Sequence, residues 1–519
     1  MYLVTAAEMQ AMDRMTIESF GIPGRVLMES AGREAARVFR THFPENAARK
    51  VGVMAGRGNN GGDGHVIARC LASAGYDVRV FLLCPAERVR GDAAANLGLL
   101  SMLGIPVLEI PDEAAFERHA HLMRQVDTWV DALFGIGLAN EVGGLFRRAI
   151  DLVNASGGRV FSVDVPSGLH ADSGRPLGAS IRARVTVTFG FPKIGLWVHP
   201  GPEYCGRVEV ADIGIPTPVV QAVAPRQRLV QAGDVRRMLP ARPPETHKGR
   251  TGHLLVIGGS PGKTGAAAMA ATAALRVGAG LATIATAAGL GPVMETLVVE
   301  AMTAALPDDG TGCIGMSAAD RLAELGRGKA CIAVGPGLGM SAATGELVRS
   351  LVRSASAPLV IDADGLNHLA GHLDVLDGLT VPIVLTPHPG EMARLLETPV
   401  AEVQRDRFGA ARRLAQDRRV HVVLKGAGTL TAHPDGRVAL NPTGNPGMAS
   451  GGMGDVLTGA VAGLICQGVP AGEAAEAAVY LHGAAADRLA ATIGPQGYLA
   501  GEVMRELPAT IGRFLRVAS

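Results

Sequence analysis

The sequence predicts two successive α/β domains, the front one a parallel sheet with helices on both faces. Short β-rich runs alternate with helical patterns along most of the chain, as expected when parallel strands are joined by helical crossovers. The 519 residues are long for one domain and comfortable for two. Hydrophobic residues make up 48% and aromatics only 4%. The cores must therefore be built from Ala, Val, Leu and Ile, as in layered α/β proteins.

The elements follow in order. Thr5-Ala-Ala-Glu8 has the form of a capping box and predicts a helix to about Ile17. A second helical pattern covers roughly 25–40. Strands are predicted at 51–55, 78–83, 128–134, 159–165 and 185–191. Between Ile213 and Pro244 the pattern loosens and prolines recur, which places the domain boundary there. The front domain is expected over 1–220 and the rear one over 230–519. A second series of strand runs covers 253–260, 281–286, 330–339, 358–366, 382–391 and 420–429. The halves share no sequence repeat.

Composition narrows the function. Lys plus Arg total 49 against 48 Asp plus Glu, a formal charge of +1. No global field recruits nucleic acid or an anionic membrane, so a polyanionic substrate must be held by local geometry. The six cysteines are scattered without a CxxC pair, which argues against zinc or a disulfide framework. The start, MYLVTAAEMQAMDR, lacks a cationic region before an apolar core. The Ala-rich stretch Ala266–Leu275 is too short to span a bilayer. A soluble, cytoplasmic protein is the expectation.

In the front half, Gly56-Arg-Gly-Asn-Asn-Gly-Gly-Asp-Gly64 follows a strand and precedes a helical run. Such glycines let backbone N–H groups approach a diphosphate, and a helix N-terminus favours negative charge. The spacing is not that of the GxGxxG fingerprint, and a glycine-rich turn alone can simply connect strand to helix. Asp131-Ala-Leu-Phe-Gly-Ile-Gly-Leu138 and Asp164-Val-Pro-Ser-Gly168 end two further strands. A lone strand-terminal Asp is usually a cap or turn former. Three polar strand ends should instead converge on one crevice, because open α/β sheets bind ligands at the carboxyl ends of their strands.

The set GRGNNGGDG, VDALFGIGL, VDVPSG and PKIGL (192–196) resembles the NAD(P)H-hydrate epimerase family, across residues 1–215. The resemblance implies a Rossmann-like three-layer domain. It implies that Asn59, Asn60, Gly61, Gly62 and Asp63 contact a hydrated dinucleotide, together with Gly135, Ile136, Gly137, Leu138, Ala139, Asn140 and Glu141. Asn60, Asp131 and Ser167 would give oxygens to K+, in keeping with a hard cation's preference. Asp164 would bind substrate and is the candidate acid–base for inversion at the hydroxylated carbon beside the ring nitrogen.

In the rear half, Gly258-Gly-Ser-Pro-Gly-Lys-Thr264 is not a Walker loop, because Ile257 stands where its first glycine belongs. Asn445-Pro-Gly-Met-Ala-Ser-Gly-Gly-Met-Gly-Asp455 can form an anion-holding nest before an apolar helix. Asp455 is then either a helix cap or a base for an attacking hydroxyl. Lys425-Gly-Ala-Gly-Thr429 offers a second backbone cradle, and Thr386-Pro-His-Pro-Gly-Glu391 fixes a histidine at a strand end. Alone, His388 would be a turn residue.

The GMGD cluster with KGAGT resembles the ribokinase-like fold. With GGS…TGAA (258–267), GPGLG (335–339), DADGLN (362–367) and TPHPGE it resembles the ADP-dependent NAD(P)H-hydrate dehydratase family, over nearly all of 230–519. That implies Ala266, Gly337 or Gly339, His388 and Asp455 on the hydrated nucleotide. Lys425, Gly426, Ala427, Gly428, Thr429 and Gly454 would hold the adenosine nucleotide. Lys263 departs from the family, whose members often carry an aromatic residue before Thr-Gly. The reaction implied is phosphoryl transfer from ADP with Mg2+, then elimination, giving NAD(P)H, AMP and phosphate. The resemblance also implies a homo-oligomer, a tetramer or larger. Two other readings stay open: a ribokinase-like kinase acting on a vitamin precursor, and a nucleotide-binding protein without turnover.

Overall fold

The computed structural model describes residues 1–44, 50–157 and 159–516, and the chain divides into two units, Met1–Arg226 and Gln227–Ser519. The expected rear domain runs past the described residues at 517–519. Both units have the expected α/β class.

The front unit holds a 7-stranded sheet, in the order Val107–Glu109, Asp77–Leu82, Lys50–Ala55, Thr128–Ala132, Arg159–Val163, Val185–Phe189, Arg207–Ala211. All neighbours run parallel. Alternation along each strand splits the core into two layers. Val51, Val53, Val80, Val130 and Phe161 pack with helices Gly24–His42, Asn59–Ser73 and Gly91–Met102. Met54, Phe81, Trp129 and Val160 face the other way, against helices Glu113–Met123 and Gly144–Ala155. The sequence order reverses between Lys50–Ala55 and Thr128–Ala132, the topological switch point where α/β crevices open.

Thr5 caps helix Ala6–Glu18 with the expected box: Glu8 N–H donates to Thr5 Oγ1 at 3.1 Å, and Thr5 N–H to Glu8 Oε2 at 2.8 Å. The strand predicted over 128–134 stops at Ala132. The next amides leave the ladder: Leu133 N–H reaches Asp131 Oδ1 at 3.5 Å and Phe134 N–H reaches Ser167 Oγ at 2.9 Å. Strands Val107–Glu109 and Arg207–Ala211 were not foreseen. Both are sheet edges, only half-buried, so they lack a long apolar run.

In the rear unit the strand order is Gln227–Leu229, Val438–Leu440, Leu430–Ala432, His421–Leu424, Ile383–Leu385, Leu359–Ile361, Cys331–Val334, His253–Ile257, Leu281–Ala287, Met302–Leu306. The sheet is mixed, in keeping with the expected α/β class. Leu430–Ala432 pairs antiparallel with both neighbours. The loop closing that hairpin, 433–437, is too short for the crossover a parallel pair needs. The switch point lies between His253–Ile257 and Cys331–Val334.

Two helices over this sheet pack at short range. A Cβ on Gly459 would lie 2.1 Å from Ala270 O, and one on Gly463 2.7 Å from Ala274 O. These glycines, four apart on helix Met453–Cys466, let it approach the Ala-rich helix Thr264–Val277 closely enough to bury both. Among the described residues no helix is long and apolar enough to cross a membrane.

Candidate active sites

A cavity of about 1050 Å³ opens at the front unit's switch point. Its walls include Gly56–Asn60 and Asp63 after one strand, Leu133–Asn140 after the next, and Asp164 after a third. The predicted convergence of three strand ends is therefore observed. Of the residues the resemblance implied, Asn59, Asn60, Asp63, Gly135, Ile136, Gly137, Leu138, Ala139, Asn140 and Asp164 line it. Gly61, Gly62 and Glu141 do not.

The glycine-rich segment is less a loop than expected, since helix Asn59–Ser73 already begins at Asn59. Its glycines mostly serve packing. A Cβ would lie 2.3 Å from Leu133 O at Gly56, 2.0 Å from Gly56 O at Gly61, and 2.7 Å from Met28 at Gly62. Gly58 alone, just before the helix, would meet nothing within 4 Å. The amides at this helix start are the ones free to face an anion.

Asp164 adopts φ 66°, a left-handed conformation rare outside glycine. Its N–H donates to Val187 O at 2.6 Å, and its Oδ1 receives the Lys193 ammonium at 2.6 Å. Lys193 is 1% exposed and also donates to Phe189 O at 2.8 Å and Thr188 Oγ1 at 3.1 Å. All three ammonium protons are used. Three further carboxyls line the cavity, Asp13, Asp63 and Asp92. Burial, then the charge of Asp164, raises Asp63 well above the usual carboxylate range. Burial raises Asp13 to about 6.

Asp131 is fully buried beside this group. Its Oδ2 accepts from Ser162 Oγ and from Ser167 N–H, each at 2.8 Å. Burial raises its pKa, and the Ser167 and Ser162 hydrogen bonds oppose the rise. Asn60 Oδ1 and Nδ2 are both buried without a partner among the described residues. The Asn60 amide oxygen is therefore uncommitted, and an amide oxygen is a donor type that suits a hard monovalent cation.

The rear residues gather around Asp362, which is 1% exposed. Its Oδ1 accepts from Lys425 Nζ at 2.7 Å and its Oδ2 from Thr458 Oγ1 at 2.7 Å. Glu391 stands 3.7 Å from the same ammonium. Burial works against the Lys425 charge, but Asp362 and Glu391 outweigh it and its pKa is raised. A Cβ on Gly454 would lie 3.4 Å from Lys425 Nζ and 3.7 Å from Asp362 Oδ2, so Gly454 borders this pair. Asp455 sits in the first turn of helix Met453–Cys466 and is raised to about 7 by burial, then by Asp362, with Lys425 opposing.

The switch-point loops meet beside it: Gly259 N–H donates to Pro336 O at 3.0 Å. Gly337, with φ 61°, brings its α-carbon against Ala266. Gly339 N–H donates to Asp364 Oδ2 at 2.9 Å, and the same oxygen takes Lys263 Nζ at 3.2 Å. His388 caps helix Pro389–Leu396, its Nδ1 accepting from Gly390 N–H at 2.9 Å, while half its side chain stays exposed. The 425–429 loop is clamped by Arg407, which donates to Ala427 O, Leu424 O and Lys425 O. Burial lowers the Arg407 guanidinium to about 10. A separate rear cavity of about 490 Å³, lined by Leu373, Leu396, Arg413 and Asp417, contains none of these residues.

Comparison with known proteins follows the same division. Residues 24–195 match the family described as YjeF-related protein N-terminus, and 254–509 match NAD(P)H-hydrate dehydratase. The bifunctional NAD(P)H-hydrate repair enzyme Nnr of Moorella thermoacetica is 45% identical over 509 residues, 98% of this chain and 96% of that one. The chain belongs to the bifunctional NAD(P)H-hydrate repair enzyme family. The Nnr of Thermofilum pendens is 39% identical, again over 98% of this chain and 96% of the other. Among solved structures, the ADP/ATP-dependent NAD(P)H-hydrate dehydratase of Bacillus subtilis, co-crystallised with ATP/Mg2+, is 34% identical. It covers 55% of this chain and 98% of its own, with a TM-score of 0.48.

For this repair-enzyme chain, sequence reading did not single out Lys193, Asp362, Asp364, Glu391 or Arg407. The first four lie inside motifs that were noticed, PKIGL, DADGLN and TPHPGE, so the signal was present without a role attached. Arg407 and Asp13 had no local signal. Each reaches its site from a distant helix.

Proposed function

We propose that the front cavity interconverts the two epimers of hydrated NADH or NADPH, and that the rear site dehydrates the S form at the expense of ADP. Membership of the family supports the pairing of an epimerase with an ADP-dependent dehydratase in one chain. The observation that carries the front half is the Asp164–Lys193 ion pair, built into a strained backbone at the cavity wall. Strain of this kind persists where the surroundings over-determine it, and it clusters at active sites.

In the front site the amides at the start of helix Asn59–Ser73 face the diphosphate, and Asp164 moves a proton to and from the substrate hydroxyl. Asn60, Asp131 and Ser167 would hold K+, which supplies a fixed positive charge when bound. In the rear site Asp455 takes the proton of the substrate hydroxyl. The oxygen then attacks the β-phosphorus of ADP, a new P–O bond forms and AMP leaves. The carbon–oxygen bond breaks, phosphate departs, and loss of a proton from the adjoining ring carbon restores the double bond. Lys425 and the 425–429 loop hold the nucleotide phosphates, with Mg2+ neutralising their charge when present. Ala266, Gly337, Gly339 and His388 border the hydrated ring, with Gly454 on the nucleotide side. The front unit supplies the rear one with the epimer it accepts.

The test follows recovery of the reduced-nicotinamide band near about 340 nm from mixed epimers with ADP and Mg2+. Full recovery supports both activities. Recovery of one epimer alone leaves the front unit a binding module. A stable phosphorylated product with no recovery would favour a vitamin-precursor kinase, and binding without conversion a nucleotide sensor.

A further inference from the structure

The hydroxylated carbon of the substrate is bonded to the ring nitrogen, and this dictates how it can invert. When an acid protonates the hydroxyl, the carbon–oxygen bond breaks and water leaves. The nitrogen lone pair forms a C=N+ bond and the carbon becomes planar. Water then adds to the opposite face, a new carbon–oxygen bond forms, and the extra proton passes to a base. Nothing is oxidised or reduced. Departure from one face and entry on the other call for a proton-handling group on each.

Asp164 provides one such group. Asp13 lines the same cavity from the N-terminal helix Ala6–Glu18. Met9 and Met12, buried at 2% and 0% exposure, anchor that helix to the core. The residues before it are tied to the segment that carries Lys193: Val4 N–H donates to Pro192 O at 3.0 Å, and Ile194 N–H to Val4 O at 3.1 Å. Ala6 N–H adds a bond to Asp172 Oδ1 at 2.7 Å. Asp13 is thus held at the cavity wall by a rigid element. Its own carboxyl has no hydrogen-bond or ion-pair partner among the described residues. A carboxyl fixed in place yet unpartnered, on the wall of a substrate cavity, is free to act on what the cavity holds.

We propose that Asp13 is the second acid–base group of the epimerase, protonating the hydroxyl that departs on one face while Asp164 deprotonates the water that enters on the other. In the reverse direction the two exchange roles. This rests on the epimerase reading of the front cavity. The environments of the two carboxyls differ as such a division requires. Asp164 is matched by an ammonium, whereas burial lifts Asp13 to about 6, Lys193 opposing and Asp164 adding to the rise. The charged groups lining the cavity with Asp13 are Lys193, Asp63, Asp164, Asp92, Arg57 and Arg88.

The test uses the full chain as wild type, Asp13→Asn and Asp13→Glu. Epimer interconversion is measured by NMR above the enzyme-free background, and dehydration of the S epimer is measured in the same samples. General acid–base catalysis typically contributes about 10²–10⁴-fold, so Asp13→Asn should lose at least about 100-fold in interconversion with dehydration unchanged. Asp13→Glu should recover most of that loss. The wild-type rate should fall as pH rises through about 6, and the residual Asp13→Asn rate should not. Interconversion by Asp13→Asn within threefold of wild type, with the wild-type pH profile, overturns the proposal. If Asp13→Asn fails to fold, an inactive but folded Asp13→Glu with an unaltered pH profile overturns it as well. If the wild type itself leaves the epimers unchanged, the epimerase reading falls and Asp13 with it, an outcome distinct from failure of the variant alone.

Discussion

Replacing Lys193 with Met removes the only cation bonded to Asp164 among the described residues, while roughly keeping side-chain volume. The ammonium is 1% exposed and the Asp164 side chain 12%, so neither partner is well hydrated. Breaking a buried pair from one side typically costs about 3–5 kcal/mol, because the remaining charge is left uncompensated. Here Asp63 and Asp13 share the cavity and offer it no relief. The variant also leaves Thr188 Oγ1 without its donor, while Phe189 O keeps the Phe191 N–H at 2.8 Å. Both of the chain's tryptophans, Trp129 and Trp197, lie in the front unit, so their fluorescence reports its unfolding alone. The urea slope rises with size and should be about 3 kcal/mol per molar for a unit spanning Met1–Arg226, so its midpoint should fall by on the order of 1–2 M. Adding Asp164→Asn should restore part of the loss by removing the stranded charge, and the coupling between the two sites should exceed about 1 kcal/mol. A midpoint unchanged within about 0.5 kcal/mol in Lys193→Met would refute the claim that this pair holds the site together.

Asp455→Asn should cut dehydration by about 10²–10⁴-fold and leave epimer interconversion intact, as separate assays on one sample would show. Because a base works ionised, dehydration by the wild type should rise with pH through about 7. The same residue sets a stability trend. Its folded pKa lies above the model-compound value of 3.8, so the folded unit holds this proton more tightly than the unfolded chain. The resulting stabilisation is full below the unfolded value and is lost as pH rises through about 7, whereas Asp455→Asn should keep rear-unit thermal stability more level over that range. Gly454→Ala meets only ordinary van der Waals contacts at 3.4 and 3.7 Å, so unfolding without nucleotide should barely change while calorimetry shows weaker ADP binding. Front-unit stability should be higher in K+ than in Li+ at equal ionic strength, by about 2.7 kcal/mol when K+ is at 100 times its dissociation constant, and Asp131→Asn should abolish the difference.

Much of the fold was legible because it is written in local pattern. The strands around both switch points are buried on two faces and read as continuous apolar runs, as in VGVMA and HLLVI. Thr5 and Glu8 announced a helix start that depends on four consecutive residues alone. The edge strands were missed because half-burial leaves no such run. The hairpin at 430–440 was missed because each of its strands is three residues long. At the sites, motif residues on strand ends were found, while the charges that govern them were not. Lys193 and Asp362 act through partners 29 and 63 positions away, separations that no spacing rule addresses. The glycines of the front motif were read as a diphosphate cradle, yet Gly56, Gly61 and Gly62 are glycine because backbone or methionine atoms lie where a Cβ would stand.

The two units each set a site at a sheet switch point, to opposite electrostatic ends. Each places a carboxyl beside a sheet switch point, and each places a lysine near it, buried in the front unit and partly exposed in the rear. In the front unit Lys193 bonds Asp164, the proposed acid–base, directly at 2.6 Å. In the rear unit Lys425 bonds Asp362 at 2.7 Å, and Asp455 is left with that pair's residual field and its own burial, which lifts it to about 7. The difference matches the chemistry. A group that must take a proton from an alcohol at neutral pH gains from a raised pKa, since a carboxylate of ordinary strength is a poor base. A group proposed to take a proton from entering water gains from starting ionised, and an ammonium partner favours that form. Moving the rear lysine's bond from Asp362 to Asp455 would therefore weaken the base. Thr458, which holds the other oxygen of Asp362 at 2.7 Å, is what keeps Asp362 in place to receive Lys425. Thr458→Val, which keeps the shape and removes the hydroxyl, should lower the pH at which dehydration switches on and reduce its plateau. A pH–rate profile identical to wild type would show that Asp362 holds Lys425 without that support.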